Sequence, residues 1–206
     1  MPPPKIRYTG PRDATCCFAF AHGAGVGMDA PFMEFFAKQL GKQGIRVARF
    51  EFPYMARRRT DNKRRPPNRE PVLRETWHQV IDQIDVPNLF IGGKSMGGRI
   101  ASLIANEAEV AGLICLGYPF HPVGKPDKLR VDHLHELKRP TLILQGVRDT
   151  FGNLDEVKSY KLPRRIRVHW LPDGDHSFKP RKASGRSEED NWAEAVQAMA
   201  DFMNPG

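Results

Sequence analysis

Residues 88–105, NLFIGGKSMGGRIASLIA, constrain this chain more than any other stretch. Leu89, Phe90 and Ile91 make a short apolar run, the pattern of a buried strand. Ile100, Leu103 and Ile104 then recur on one face of a helix. Between the two, residues 92–98 must turn the chain sharply, with Ser95 at the centre of G-x-S-x-G. The flanking glycines have a steric reason. Side chains at those positions would collide with the strand or the helix, and Gly93 and Gly97 remove them. The serine oxygen is then held clear of the backbone, at the positive end of a helix beginning near Met96. Alone, the pattern fits an ordinary Gly/Ser turn equally well, so other segments must decide.

Those segments repeat one plan. Apolar runs at residues 14–21, 45–52, 110–117, 141–146 and 165–171 read as further strands. Helical periodicity links them. Phe32, Met33, Phe36, Ala37 and Leu40 form one stripe, with Asp29 as its expected cap, Pro31 in its first turn, and Gly41 and Gly44 closing it. Leu73, Trp77, Val80, Ile81 and Ile84 form another, and Trp192, Ala195, Val196, Met199, Phe202 and Met203 a third. Short helices are predicted near residues 132–137 and 154–160. The Pro- and Arg-rich residues 53–69 read as a long loop. Apolar strands joined through helices pair in parallel, and strands without polar alternation are buried on both faces. The predicted architecture is α/β: a doubly wound, mostly parallel sheet of about six strands with helices on both faces. With 206 residues and no internal repeat or linker, one domain over residues 1–206 is expected. Ligands of such sheets sit beyond the carboxyl ends of the strands. His22-Gly23, Ser95, Asp149 and His176 each follow directly after a strand.

Composition narrows the classes. No apolar run reaches membrane-spanning length, and the N-terminal residues lack the apolar core of a secretory signal, so a soluble, cytoplasmic protein is expected. The three cysteines lack metal-ligand spacing and read as buried small hydrophobes. Cys16 and Cys17, adjacent on a strand, should face opposite sides of the sheet. No nucleotide fingerprint is present, so neither an organic cofactor nor a metal is expected. The formal charge of +8 raises the question of nucleic acid. The excess is concentrated at Arg57-Arg58-Arg59, Lys63-Arg64-Arg65 and Arg69, and again at Lys179, Arg181, Lys182 and Arg186. Solvated loops are the commoner reading of such runs, and nucleic acid the less favoured partner. Both segments follow strands at the edge that carries Ser95, so they should rim the site.

The order Ser95, Asp149, His176, with AHGAG, GGKSMGG, LQGVRD and DGDHSF around it, resembles the α/β-hydrolase superfamily over nearly the whole chain. In finer detail it resembles the small, lid-less, dienelactone-hydrolase-like branch, which includes bacterial relatives of testis-expressed protein thirty and of the third NSL chromatin-complex subunit. Dienelactone hydrolases proper use a cysteine where this chain has Ser95, so their lactone substrate does not carry over. The resemblance implies a nucleophile at Ser95, a base at His176 and an orienting acid at Asp149. It also implies an oxyanion hole from the backbone N–H groups of Ala24 and Met96. Asp173 and Asp175 are the competing acids, but they follow no strand of their own. His22 is read as ordering its loop. Tyr54, Met55, Tyr118 and Phe120 follow strands at the same edge and either line a pocket or fill the core. Residues 118–139 are too few for a lid domain. The expected partner is a small acyl compound, cleaved at an ester, thioester or related acyl bond, with anionic character suggested by the basic rim. The other reading is a hydrolase-fold scaffold for protein or nucleic acid. No feature of the sequence sets the oligomeric state.

Overall fold

The computed structural model describes residues 3–204; the extreme ends of the expected 1–206 domain lie outside the described residues. The described residues include seven strands: β1 (Arg7–Thr9), β2 (Cys16–Ala21), β3 (Arg46–Phe50), β4 (Asn88–Lys94), β5 (Gly112–Leu116), β6 (Thr141–Gly146) and β7 (Ile166–Leu171). They form one sheet in the order β1-β3-β2-β4-β5-β6-β7. All neighbouring pairs are parallel except β1 with β3. The helices are α1 (Pro31–Lys42), α2 (Pro53–Asp61), α3 (Glu70–Ile81), α4 (Met96–Ile104), α5 (Asp132–His135), α6 (Leu154–Ser159) and α7 (Glu188–Met203).

β2, β5 and β6 are buried along their whole length, and β4 from its second residue on. Such strands need cover on both sides. One face packs against α1 and α7 through Phe36, Leu40, Ala195 and Met199. The opposite face packs against α2 to α6 through Met55, Trp77, Ile100, Leu134 and Val157. Cys16 joins the first layer and Cys17 the second, as the alternation of strand side chains requires. α7 begins on a capping box formed by Ser187 and Asp190, with Glu188 and Glu189 at its positive end.

The structure corrects four details. The sheet has a seventh strand, because the three residues of β1 add an antiparallel edge beside β3. So short a strand carries no readable period; the Arg46 guanidinium lies 4.0 Å from the Tyr8 ring beneath it. The Arg-rich segment begins as a helix, α2, rather than a loop. Its start is set by Pro at the first turn and by the Tyr54 N–H donating to Asn68 Oδ1 at 2.8 Å. Asp29 does not cap α1: Ala30 is the N-cap, without a side-chain hydrogen bond, and the Asp29 carboxylate pairs with Arg7 and Arg59. Gly41 lies inside α1, and the turn past its end falls at Gly44, with φ of 82°.

Between β2 and β4 the sheet order reverses: β3 lies on one side of β2, and all later strands lie on the other. Turns leaving the two strands diverge to opposite faces there, which opens a crevice at their carboxyl ends. The turn after β2 carries residues 22–27, and the turn after β4 carries Ser95. Among the described residues, no helix is long and apolar enough to cross a membrane.

Candidate active site

Ser95 sits between β4 and α4 with φ 51° and ψ −115°, a conformation sparsely populated by residues with a side chain. Its N–H donates to Leu116 O at 2.9 Å, which ties the turn to β5. The glycines beside it are steric requirements. A Cβ on Gly93 would lie 2.5 Å from Ala21 O, and one on Gly97 would lie 2.6 Å from His22 O. α4 thus starts in direct backbone contact with the end of β2.

Asp149 and His176 arrive from the turns after β6 and β7. His176 Nε2 lies 2.9 Å from Ser95 Oγ, and its Nδ1 lies 2.8 Å from Asp149 Oδ2. A carboxylate only accepts, so Nδ1 carries the proton and Nε2 is left to accept from the serine hydroxyl. The Asp149 side chain is fully buried, and its acceptors are used. Gln145 Nε2 donates to Oδ2 at 2.9 Å, and the Phe151 N–H donates to Oδ1 at 2.9 Å. The Phe151 ring lies 4.3 Å from the imidazole, centroid to centroid. Burial holds the imidazole below its ordinary pKa, against the hydrogen bond to Asp149, and the Lys94 ammonium adds to the lowering. The neutral ring is therefore the resting form at neutral pH.

The other acids are occupied elsewhere. Asp173 pairs with Arg181 and Arg148, and the two guanidiniums hold its carboxyl near 2, Arg181 foremost. Asp175 accepts from the N–H groups of Ser177 and Lys179, 2.8 and 3.0 Å away, and so shapes the histidine turn. His22 is buried; its Nε2 accepts the Phe52 N–H at 3.2 Å, so its Nδ1 donates to Gly23 O at 2.6 Å. It orders the turn that carries Ala24. Among the described residues, neither the Ala24 nor the Met96 N–H has a protein acceptor. For Met96 this follows from its place as the first residue of α4.

Tyr118 and Phe120 fill the core, fully buried, with the Tyr118 hydroxyl donating to Arg130 O at 3.0 Å. Tyr54 is buried too, and its hydroxyl reaches the Ala24 carbonyl at 3.0 Å. Of the four side chains expected to line a pocket or fill the core, Met55 borders a cavity with a volume of ≈ 390 Å³. The cavity lies between the residue 25–27 turn and α2, with Arg58 and Arg59 on its rim; Ser95, Asp149 and His176 do not line it. Much of the basic excess is paired in place: Arg59 with Glu51 and Asp29, Arg65 with Asp61, Arg181 with Asp173, and Arg186 with Glu194. Among the described residues, no cluster of three or more His, Cys, Asp or Glu has metal-binding geometry.

Gln145 and Lys94 escaped the reading of the sequence. Each is a polar side chain near the carboxyl end of a strand that is mostly buried and apolar, and that mismatch is the signal the sequence offers. Lys94 is buried, and its Nζ donates to His176 O at 2.6 Å.

A family model described as an alpha/beta hydrolase domain matches residues 14–204. Among solved structures, the chain is similar to a dienelactone hydrolase from Anabaena variabilis, with 20% identity and a TM-score of 0.73 over 97% of this chain and 90% of that one. It is similar to a Xanthomonas campestris α/β serine hydrolase without a lid, with 19% identity and a TM-score of 0.71 over 98% and 89% of the two chains. An α/β serine hydrolase homologue from Coxiella burnetii has 16% identity and a TM-score of 0.71 over 97% and 91%. At these identities the likeness is one of fold.

Proposed function

The chain belongs to the alpha/beta hydrolase domain family, and on that footing we propose that it is a serine hydrolase of the lid-less, dienelactone-hydrolase-like kind, cleaving an ester or thioester of a small acyl compound. The observation that carries this reading is the continuous relay from Ser95 Oγ through both nitrogens of His176 to Asp149, at 2.9 and 2.8 Å. In the first step His176 Nε2 takes the proton from Ser95 as Oγ attacks the acyl carbonyl. Asp149 fixes the tautomer and offsets the charge that the ring gains. The negative oxygen of the tetrahedral intermediate is received by the N–H groups of Met96 and Ala24. His176 then returns the proton to the departing alcohol or thiol, which leaves an acyl-enzyme. A water activated by the same base attacks the acyl carbon and frees Ser95.

Ser95 is half-buried and Ala24 exposed, and residues 118–139 hold only the single turn α5, so the site faces solvent. That openness suits a small substrate or an acyl group projecting from a larger one. The net charge of +8 favours an anionic substrate by raising its local concentration.

Incubation with a fluorophosphonate probe tests the reading. Wild type becomes labelled at Ser95, and Ser95→Ala does not. An unlabelled wild type, or labelling that survives the substitution, overturns it. Matched neutral and anionic p-nitrophenyl esters extend the test: the anionic ester is preferred at low salt, and the preference shrinks as salt rises.

A further inference from the structure

We propose that Lys94 is a positioning residue for His176: its ammonium ties the backbone of the histidine turn to the end of β4 and keeps the imidazole a neutral base. The inference rests on the reading of His176 as the base, but its test observes that ring directly.

Lys94 is the last residue of β4 and the immediate neighbour of Ser95. A lysine in that place would ordinarily run its ammonium out to water. Here the residue is buried, and its Nζ instead donates to His176 O, across 82 residues of sequence. A charge-assisted bond of 2.6 Å to that carbonyl fixes the backbone from which the imidazole hangs.

The same ammonium lies close to the ring. A Cβ on Gly117 would sit 2.9 Å from Lys94 Nζ and 3.2 Å from His176 Nδ1, so the two nitrogens are within about 6 Å of each other. The charged groups facing Lys94 are Asp149, from the turn after β6, and Asp175 and His176, from the turn after β7. From α1 the side chain that faces it is the uncharged Phe32, whose ring centroid lies 5.6 Å from Nζ. His22, in the turn after β2, is held neutral by burial. Two cations, Lys94 and a protonated His176, would therefore compete for the field of one buried carboxylate, Asp149. Protonation of the ring is disfavoured in proportion. Burial also lowers the pKa of Lys94 itself to about 8, with Asp149 and Asp175 resisting. The Lys94 charge is thus present across the range in which His176 titrates, and it is lost above it.

The test is a ¹⁵N NMR titration of the histidine rings, with His176 assigned from a His176→Gln sample. Wild type is compared with Lys94→Met, which keeps the length and apolar stem of the side chain without the charge or the donor. The His176 midpoint should rise by about one pH unit or more in Lys94→Met, as expected for removal of a like charge at this range. An unchanged His176 midpoint overturns the proposal. If Lys94→Met does not fold, wild type alone decides. Its His176 ring nitrogens should show a second, smaller displacement centred near pH 8, as Lys94 loses its proton; a single transition overturns the proposal. Fluorophosphonate labelling of wild type reports separately on whether Ser95 is a nucleophile.

Discussion

The backbone at Ser95 predicts an inversion of the usual order of alanine and glycine. At most positions glycine is the less stable by about 0.5–1 kcal/mol, because the unfolded chain gains freedom. Ser95 has φ 51° and ψ −115°, where any residue with a Cβ carries strain of about 1–3 kcal/mol. Ser95→Ala keeps the strain, and Ser95→Gly releases it. Both variants lose the 2.9 Å bond to His176, so that loss cancels in the comparison. Ser95 as a residue is half-buried, so removing its Cβ forfeits a fraction of the ~0.8 kcal/mol of a buried methylene. The balance is that Ser95→Gly is more stable than Ser95→Ala by about 1 kcal/mol, near 2–4 °C in Tm for a chain of this length. Urea unfolding followed by tryptophan fluorescence measures it, through Trp77, Trp170 and Trp192. The difference must appear in the midpoint at a constant m-value. If Ser95→Ala equals or exceeds Ser95→Gly, the turn is not strained, and the account of how the hydroxyl is held clear of the backbone fails.

Two further outcomes follow from the half-buried imidazoles of His176 and His133. Because burial lowers the pKa of His176, and only its neutral form can accept the Ser95 proton, the rate of fluorophosphonate labelling should fall as pH drops, with a midpoint below 6.5; a midpoint above 6.5 contradicts the direction of the shift. His133 is pushed down to about 4, chiefly by burial and then by Arg99, while its Nε2 meets Ser102 Oγ at 2.8 Å. The unfolded chain takes up this proton near pH 6.5 and the folded chain only near 4, so stability is lost as pH falls through that window. The urea midpoint of His133→Gln should therefore decline less steeply between pH 6.5 and 4 than that of wild type, and parallel slopes would refute the assignment.

The sequence by itself determined the features that local chemistry encodes. Strands without polar alternation demanded cover on both faces, and helical stripes such as Phe36–Leu40 and Trp192–Met199 supplied it. The elbow at Gly93, Ser95 and Gly97 was legible because a steric rule of one turn fixes those residue types. Asp149 and His176 stood out because each follows a strand, and parallel strands end at one edge. Tertiary structure decided what depends on partners far away in the chain. α2 buries only Tyr54 and Met55 and gives a weak period; its register is held by contacts of Tyr54 with Asn68 and Ala24 and of Arg59 with Glu51 and Asp29. Tyr118 and Phe120 became core rather than pocket because the irregular segment that follows them folds back over them, with Arg130 accepting the tyrosine hydroxyl. Lys94 and Gln145 found their roles only when the turns after β6 and β7 came to rest beside them. A period or a motif is written over a few neighbouring residues, but the solvation of a buried charge is a property of all the groups that surround it, and only the folded chain brings those together.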